Sequence, residues 1–148
     1  MLFIDLFSIF LLILVNGYFS ASEIALISLR KSRVRHLVKT GDRAALRVQM
    51  LQEEPERFLA TVQIGVTLVG TLASALGGVI AIERITPLLQ KAPFVFISKA
   101  AEPIALGLVV GIITYITLVA GELVPKTIAI RYSEQIAFFT AAMIDSLS

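Results

Sequence analysis

The chain has 148 residues, of which 57% are hydrophobic and only 16% are charged, with a formal net charge of +2. Soluble domains of this length are usually about half apolar and about a quarter charged, so the composition argues against a soluble globular domain and for an integral membrane protein. Because the sequence contains no cysteine, disulfides, thiolate metal sites and cysteine nucleophiles are excluded.

The first predicted element is a membrane-spanning helix over residues 2–29, an apolar run interrupted by Asp5 and by the string NGYFSASE. The small residues SAS after an apolar stretch are also typical of a signal-peptide cleavage site. However, no Lys or Arg precedes the run, and the run is long for a signal core. The pattern therefore favours an uncleaved transmembrane helix.

A basic connector is predicted over residues 30–54. Residues 30–57 hold eight of the thirteen Lys and Arg residues, and apolar residues recur at roughly helical spacing on both sides of Gly41. Two interpretations stay open: amphipathic helices lying on anionic lipid head groups, or solvated connecting helices. No aromatic or base-reading residue accompanies the charge, so we expect no nucleic-acid partner. The positive-inside rule places the connector in the cytoplasm and the N-terminus outside.

The second predicted span covers residues 58–82 and carries no charged residue. One face of this helix holds small and polar residues spaced by three and four: Gln63, Thr67, Gly70, Thr71, Ser74 and Gly78. Gly70, Ser74 and Gly78 form a small-xxx-small array, which predicts close helix packing or dimer packing. Packing alone does not explain the glutamine and the threonines, because alanine would serve it equally well.

The third predicted span covers residues 104–122 and runs into the sequence AGELVPKTIAIRY. Pro125 has no backbone N–H, so a helix break at Pro125 and Lys126 is predicted to free carbonyls near Gly121. These carbonyls and the Glu122 carboxylate are hard oxygen ligands, suited to Mg²⁺, Ca²⁺ or Na⁺. In the alternative interpretation, Lys126 simply pairs with Glu122, which lies four residues before it.

A juxtamembrane amphipathic helix is predicted over residues 126–148, too short and too polar for a fourth crossing, and we expect further domains to follow it. No catalytic signature is present, and His36, the single histidine, is predicted to lie on the surface. We therefore do not expect an enzyme.

The string NGYFSASE places oxygen-bearing side chains inside the first span. Ser20, Ser22 and Glu23 lie within one helical turn and are candidate cation ligands. Alternatively, the two serines bond to carbonyls of their own helix and Glu23 marks the membrane interface.

Taken together, NGYFSASEIALISLRKSRV, PERFLATVQIGVTLVGTLAS and GELVPKTIAIRYSE resemble the transmembrane domain of the CNNM/CorC cation-transport proteins, also called hemolysin-like proteins. The resemblance covers about residues 15–134. It implies three transmembrane helices with basic juxtamembrane helices, a homodimer, and a dehydrated Mg²⁺ held among oxygens of the three helices in an inward-open cavity. It also implies downstream cytosolic CBS modules that bind ATP, often followed by a small CorC-type domain.

The resemblance carries functional roles to Ser20, Ser22 and Glu122 and to the helix-two motif at residues 65–70. Transporting members read IGN-x-LVN in that motif, whereas this chain reads IGVTLVG, so Val66 and Gly70 replace two asparagines. The residues predicted to supply side-chain or backbone oxygens to the ion are Ser20, Ser22, Gly65, Thr67, Gly121 and Glu122.

The predicted function is that of the membrane domain of a secondary divalent-cation transporter, exporting Mg²⁺ with Na⁺ as a coupling ion, in a bacterial or archaeal plasma membrane. ATP would act only through the CBS domains. Two alternatives stay open. One is export of another cation such as an organic polyamine, which the missing asparagines would permit, and the other is a non-transporting membrane scaffold or sensor.

Overall fold

The structure is a computed structural model that describes residues 1–147, and Ser148, the last residue of the predicted juxtamembrane segment, lies outside it. Its regular elements are helical throughout the described residues, as the sequence predicted. Nine α-helices follow one another in residues 1–147: α1 (Leu2–Ser28), α2 (Lys31–Lys39), α3 (Arg43–Glu53), α4 (Pro55–Ile80), α5 (Thr86–Gln90), α6 (Val95–Lys99), α7 (Ala101–Leu118), α8 (Val124–Arg131) and α9 (Ser133–Leu147).

Within the described part of the chain, three helical segments are long and apolar enough to cross a membrane, namely Leu2–Ser28, Pro55–Gln90 and Ala101–Arg131. Large apolar side chains such as Phe3 and Tyr115 lie exposed on their outer faces, where a bilayer would cover them. A helix satisfies its backbone hydrogen bonds internally, which hydrocarbon requires. The predicted all-α integral membrane fold with three spans is confirmed.

The second and third spans each contain a five-residue π-helical turn, Ala81–Ile85 and Val119–Leu123. Each turn ends two residues before a proline, Pro87 or Pro125. Proline cannot donate an α-helical hydrogen bond and its ring clashes with the preceding turn, and a widened turn relieves both problems. The sequence predicted a helix break at Pro125 and Lys126, whereas in the structure the chain stays helical to Arg131.

The first span is the centre of the bundle. Helix α1 packs against α4, α8, α9 and the Val119–Leu123 turn, while α4 packs in turn against α7. The larger apolar core lies at the end of α1 that meets the connector, and it is built from side chains of α1 to α4, α8 and α9: Ala25, Leu26, Leu29, Val34, Val48, Phe58, Val62, Ala129, Ala137 and Ala141. A smaller core at the opposite end joins Ile9, Ala73, Ile80 and Ile113.

The basic connector is docked against this bundle. Gly41, with a positive φ of 87°, turns the chain between α2 and α3, and the Asp42 carboxylate caps α3 by accepting from the backbone N–H of Ala44 at 2.9 Å. The Gln52 amide donates to the carbonyls of Leu26 and Leu29, at 3.2 and 3.0 Å. The end of α1 is thereby held by α3, and the apolar face of the connector is used for packing within the chain.

Candidate cation site

One face of α1 carries three polar residues, Asn16, Ser20 and Glu23, at spacings of four and three. Asn16 and Ser20 are each 1% exposed, and the Glu23 side chain is 27% exposed. Asn16 contacts Gly121, and Glu23 contacts Lys126. The polar face of α1 is therefore turned toward the second half of the third span.

The carbonyl of Gly121 is the group that Pro125 leaves without an α-helical donor. Asn16 Nδ2 donates to this carbonyl at 2.8 Å. A Cβ at position 121 would lie only 3.2 Å from the same nitrogen, and a Cβ on Gly17 would lie 3.0 Å from Pro125 Cγ, so glycine at both positions permits the close approach. The Gly121 carbonyl, predicted as an ion ligand, is thus engaged by Asn16 in this structure.

Three buried side-chain oxygens have no hydrogen-bond partner within the described part of the chain: Asn16 Oδ1, Ser20 Oγ and Thr117 Oγ1. Leaving such an atom unpaired costs about 1–3 kcal/mol, and buried polar atoms in folded proteins are rarely unpaired. Asn16 and Ser20 share the polar face of α1, and Thr117 lies one helical turn before Gly121. Amide and hydroxyl oxygens can serve as ligands for hard cations.

At the junction where α1 meets the third span, three charged side chains lie in a row: Glu23, Lys126 and Glu122. Lys126 Nζ lies 3.1 Å from Glu122 Oε1 and 3.9 Å from Glu23 Oε2. The side chains of Lys126, Glu122 and Glu23 are 30%, 33% and 27% exposed, so the group lies partly open at the edge of the bundle. The ion pair that the sequence offered as the alternative role of Glu122 is present, and it extends to a second carboxylate on α1.

Few acidic side chains lie at the junction. Among the described residues, no group of three or more His, Cys, Asp or Glu side chains is placed to share a metal ion. A divalent cation here would therefore depend on Glu23 and Glu122, supplemented by neutral oxygens.

Ser22, a predicted ligand, lies elsewhere. It is two residues from Ser20, a rotation of about 200° around an α-helix, so the two serines point to different sides of α1. The Ser22 hydroxyl lies 2.8 Å from the Tyr18 carbonyl and 2.9 Å from Thr140 Oγ1, and the Thr140 hydroxyl lies 2.9 Å from the Ile136 carbonyl. Two hydroxyl protons serve these three contacts, so only two of them are hydrogen bonds at any moment.

Ser22 and Thr140 lie on the wall of an apolar cavity of about 870 Å³ between α1, α3, α4 and α9. Glu54 and Arg57 are the charged residues that line it. The Ser22 side chain is thus part of the contact between α1 and α9.

The predicted site residues on the second span allow close helix packing and do not bring a side-chain oxygen to the site. A Cβ on Gly65 would lie 3.0 Å from the ring of Phe19, so this glycine lets α4 approach α1. Thr67, another predicted ligand, is exposed, and its carbonyl accepts a hydrogen bond from the Thr71 hydroxyl at 2.8 Å.

The small residues on α4 behave differently from one another. A Cβ at Gly70 would meet no atom within 4 Å, and one at Gly78 would meet Leu106 Cδ2 at 3.8 Å, while Ser74 is half-buried. The close contact with α7 is made instead by Gly77, where a Cβ would collide with Ile113. At Gly70 the predicted packing stripe therefore faces open space within one protomer.

Asn16 and Thr117 are the site residues that sequence reasoning missed. Asn16 stands four residues before Ser20, a spacing that puts both on one helix face, and this signal was available in the string NGYFSASE. Thr117 is surrounded by apolar residues in sequence, and only the fold shows that its hydroxyl is buried without a partner among the described residues.

Residues 7–148 match the family model described as the cyclin M transmembrane N-terminal domain. The UPF0053 protein sll0260 of Synechocystis is 46% identical over 134 residues, which is 90% of this chain and 30% of that protein. The UPF0053 inner membrane protein YfjD of Escherichia coli is 32% identical, with 90% of this chain and 27% of that protein covered.

A third relative, named polyamine export protein, comes from Haemophilus influenzae. It is 31% identical over 144 residues, which is 97% of this chain and 33% of that protein. The chain thus spans about a third of the length of these relatives, or slightly less.

Proposed function

We propose that this chain, which belongs to the family of cyclin M transmembrane N-terminal domains, forms the membrane pathway of a secondary cation transporter that exports Mg²⁺. The observation that carries the proposal is the junction between α1 and the third span. Two carboxylates there share one ammonium group beside buried oxygens that have no partner within the described residues. Intramembrane polar groups of this kind are costly and usually mark a substrate path.

The ligands proposed for the ion are the carboxylates of Glu23 and Glu122 and the neutral oxygens of Asn16 and Ser20. Mg²⁺ prefers about six oxygen ligands in octahedral geometry and gives up its water reluctantly. Val66 and Gly70 offer no side-chain amide oxygen on α4. The ion would therefore retain water at the positions where transporting members supply asparagine. Glu122 and Glu23 would then provide most of the attraction.

Lys126 has a defined task in this mechanism. Without a cation, its ammonium group neutralises one of the two carboxylate charges and lowers the net charge of the group from −2 to −1. A smaller net charge makes reorientation of the empty site within a low-dielectric bilayer less costly. An arriving cation would displace Lys126, so binding of the substrate and release of the lysine are coupled.

The whole transporter would extend beyond this chain, because the relatives are about three times as long. Cytosolic CBS modules that bind ATP, a homodimeric arrangement, Na⁺ as the coupling ion and an N-terminus outside a bacterial membrane belong to the same proposal. Their support is the family membership and the basic connector on one side of the predicted topology.

Export of an organic polyamine is the second candidate, and a specific observation favours it. The two carboxylates already hold a primary ammonium group, that of Lys126, so the same geometry suits the ammonium group of an alkylamine. The name of the Haemophilus influenzae relative points the same way.

A thermal-stability titration of the purified chain in detergent tests both candidates. A ligand that binds only the folded state stabilises it by about 2.7 kcal/mol at a hundredfold excess over Kd. We expect Mg²⁺ to raise the melting temperature of the parent chain and not that of Glu122→Gln. Glu56→Gln is the matched control, because Glu56 is an exposed carboxylate in the first turn of α4 and is not one of the proposed ligands.

Stabilisation by spermidine but not by Mg²⁺ would replace the magnesium proposal with the polyamine one. No response to either cation or to Na⁺, together with no flux in proteoliposomes, would favour a non-transporting scaffold or sensor.

A further inference from the structure

A second cavity, of about 480 Å³ and polar, lies away from the cation junction, between the α1–α2 corner and the start of α9. Most of its lining is hydroxyl-bearing or basic: Ser28, Ser32, Ser133, Arg30, Arg33 and His36. Nothing in the proposed transport mechanism uses these residues. We propose that this cavity, here called the basic cavity, binds the phosphate of an anionic glycerophospholipid.

The charge of the basic cavity suits an anion. Residues 30–41 contain five Lys or Arg residues and no acid. The side chains of Arg30 and His36 make no hydrogen bond or ion pair with the rest of the described chain, so both are available to a ligand. Arginine binds phosphate oxygens through two parallel N–H donors, and serine hydroxyls can complete the acceptor needs of the remaining oxygens.

One acid lies in the cavity and acts as an internal competitor. Glu134 Oε1 is 3.4 Å from Arg33, and the two side chains are 40% and 51% exposed. An exposed pair at this distance contributes little to stability, so Arg33 is readily drawn to a stronger anion. A bound phosphate would therefore replace Glu134 as the partner of Arg33.

The position of the basic cavity identifies the phosphate as that of a lipid. Its lining includes Ser28, the last residue of the first span, and Ser133, two residues after the third span finishes at Arg131. Exposed apolar side chains, Ile27 and Ile130, precede both points. Two spans thus leave the hydrocarbon beside this cavity, at the depth where lipid phosphates lie, and anionic lipids there attract juxtamembrane basic residues.

The head-group chemistry follows from the same charges. Phosphatidylcholine carries a choline cation next to its phosphate, and Arg30 and Arg33 would repel it. Phosphatidylglycerol carries the phosphate with a neutral glycerol, whose hydroxyls can bond to the cavity serines. We therefore expect the cavity to prefer phosphatidylglycerol.

The test is native mass spectrometry of the purified chain, titrated in detergent with phosphatidylglycerol or phosphatidylcholine. Each arginine near a lipid surface contributes roughly fivefold to anion binding, so Arg30→Gln with Arg33→Gln should weaken phosphatidylglycerol binding about 25-fold. The matched control is Arg35→Gln with Lys39→Gln, which removes the same charge from the same basic connector outside the cavity and should change binding about twofold. Glu134→Gln, which removes the competitor, should strengthen binding about fivefold.

Three results would overturn the proposal. Equal loss in the two double variants would mean diffuse attraction to the whole connector. Displacement of the lipid by 10 mM inorganic phosphate would make a soluble phosphate the ligand. Equal binding of phosphatidylcholine and phosphatidylglycerol would favour an acidic protein segment as the ligand of the basic cavity.

Discussion

The side-chain amide of Asn16 and the backbone carbonyl of Gly121 are joined by a 2.8 Å hydrogen bond between the first and third spans. The same amide has two consequences. Its nitrogen donates to the Gly121 carbonyl, for which Pro125 has no backbone N–H. Its oxygen stays buried without a partner within the described residues. Stabilisation of the π-helical turn and supply of a candidate ligand therefore depend on one side chain.

Replacing Asn16 by leucine should destabilise the chain by about 1–3 kcal/mol, because the Gly121 carbonyl would be left buried and unpaired. Unfolding of the purified chain in detergent measures this. Ser8→Ala is the control, since the Ser8 hydroxyl bonds only to the Ile4 carbonyl of its own helix and is exposed; its effect should stay below about 0.5 kcal/mol. Equal stability of the leucine variant and the parent would contradict the structural role of Asn16.

Gly17→Ala should cost about 1–3 kcal/mol, because the added methyl group would lie 3.0 Å from Pro125 Cγ in a packed interface. Gly111→Ala is the matched change, as a Cβ there meets nothing within 4 Å, and it should be neutral or stabilising by up to about 1 kcal/mol. The melting temperature should fall for Gly17→Ala and stay constant or rise for Gly111→Ala. A stabilised Gly17→Ala variant would show that α1 and α8 are less tightly packed than described.

A double-mutant cycle on Ser22 and Thr140 separates packing from ion binding. The two hydroxyls lie 2.9 Å apart, so removing one should change the effect of removing the other, with a coupling of about 0.5–1 kcal/mol. Stability measurements on both alanine variants and the double variant give this value. Loss of cation-dependent stabilisation in Ser22→Ala, with no coupling to Thr140, would instead make Ser22 a ligand.

Lys126→Gln should lower stability without a cation and enlarge the stabilisation produced by Mg²⁺. The variant leaves Glu23 and Glu122 without their shared ammonium group, so an added cation meets no competitor. Melting temperatures with and without Mg²⁺ measure the difference. If Lys126→Gln abolished the response as fully as Glu122→Gln, Lys126 and Glu122 would form a simple structural ion pair.

Gly70→Leu should weaken self-association while leaving the protomer folded. A Cβ at this position meets no atom of the described residues within 4 Å, so a loss of stability in the isolated protomer is not expected. A leucine would, however, keep a partner helix from approaching the small-residue face. Light scattering in detergent gives the mass. Gly107→Leu, on the open surface of α7, is the comparison, and equal behaviour of the two would remove Gly70 from the predicted dimer interface.

The sequence predicted the membrane spans because hydropathy over about 20 residues is a property of consecutive residues. The pair of Glu122 and Lys126 was equally accessible, since a spacing of four fixes their proximity on one helix. By contrast, the bond from Asn16 to Gly121 joins positions 105 residues apart and depends on how two helices pack. Local spacing contains no information about such a contact.

The fate of Pro125 shows a second limit. Proline chemistry indicated that a carbonyl near Gly121 would lose its donor, and that reasoning holds in the structure. It predicted a break at Pro125 and Lys126, whereas the helix widens before Pro125 and continues. The outcome depended on the Asn16 amide of another span, which donates a hydrogen bond to a carbonyl of the widened turn.

The two π-helical turns also decide where this domain can change length. Each holds one residue more than an α-helical turn. Deleting a residue from Val119–Leu123 would close that turn to α-helical geometry and bring the Pro125 ring against the preceding turn, the clash that the wider turn relieves. Insertions and deletions should therefore be confined to connections such as residues 91–94, while the interior of the third span keeps a fixed number of residues.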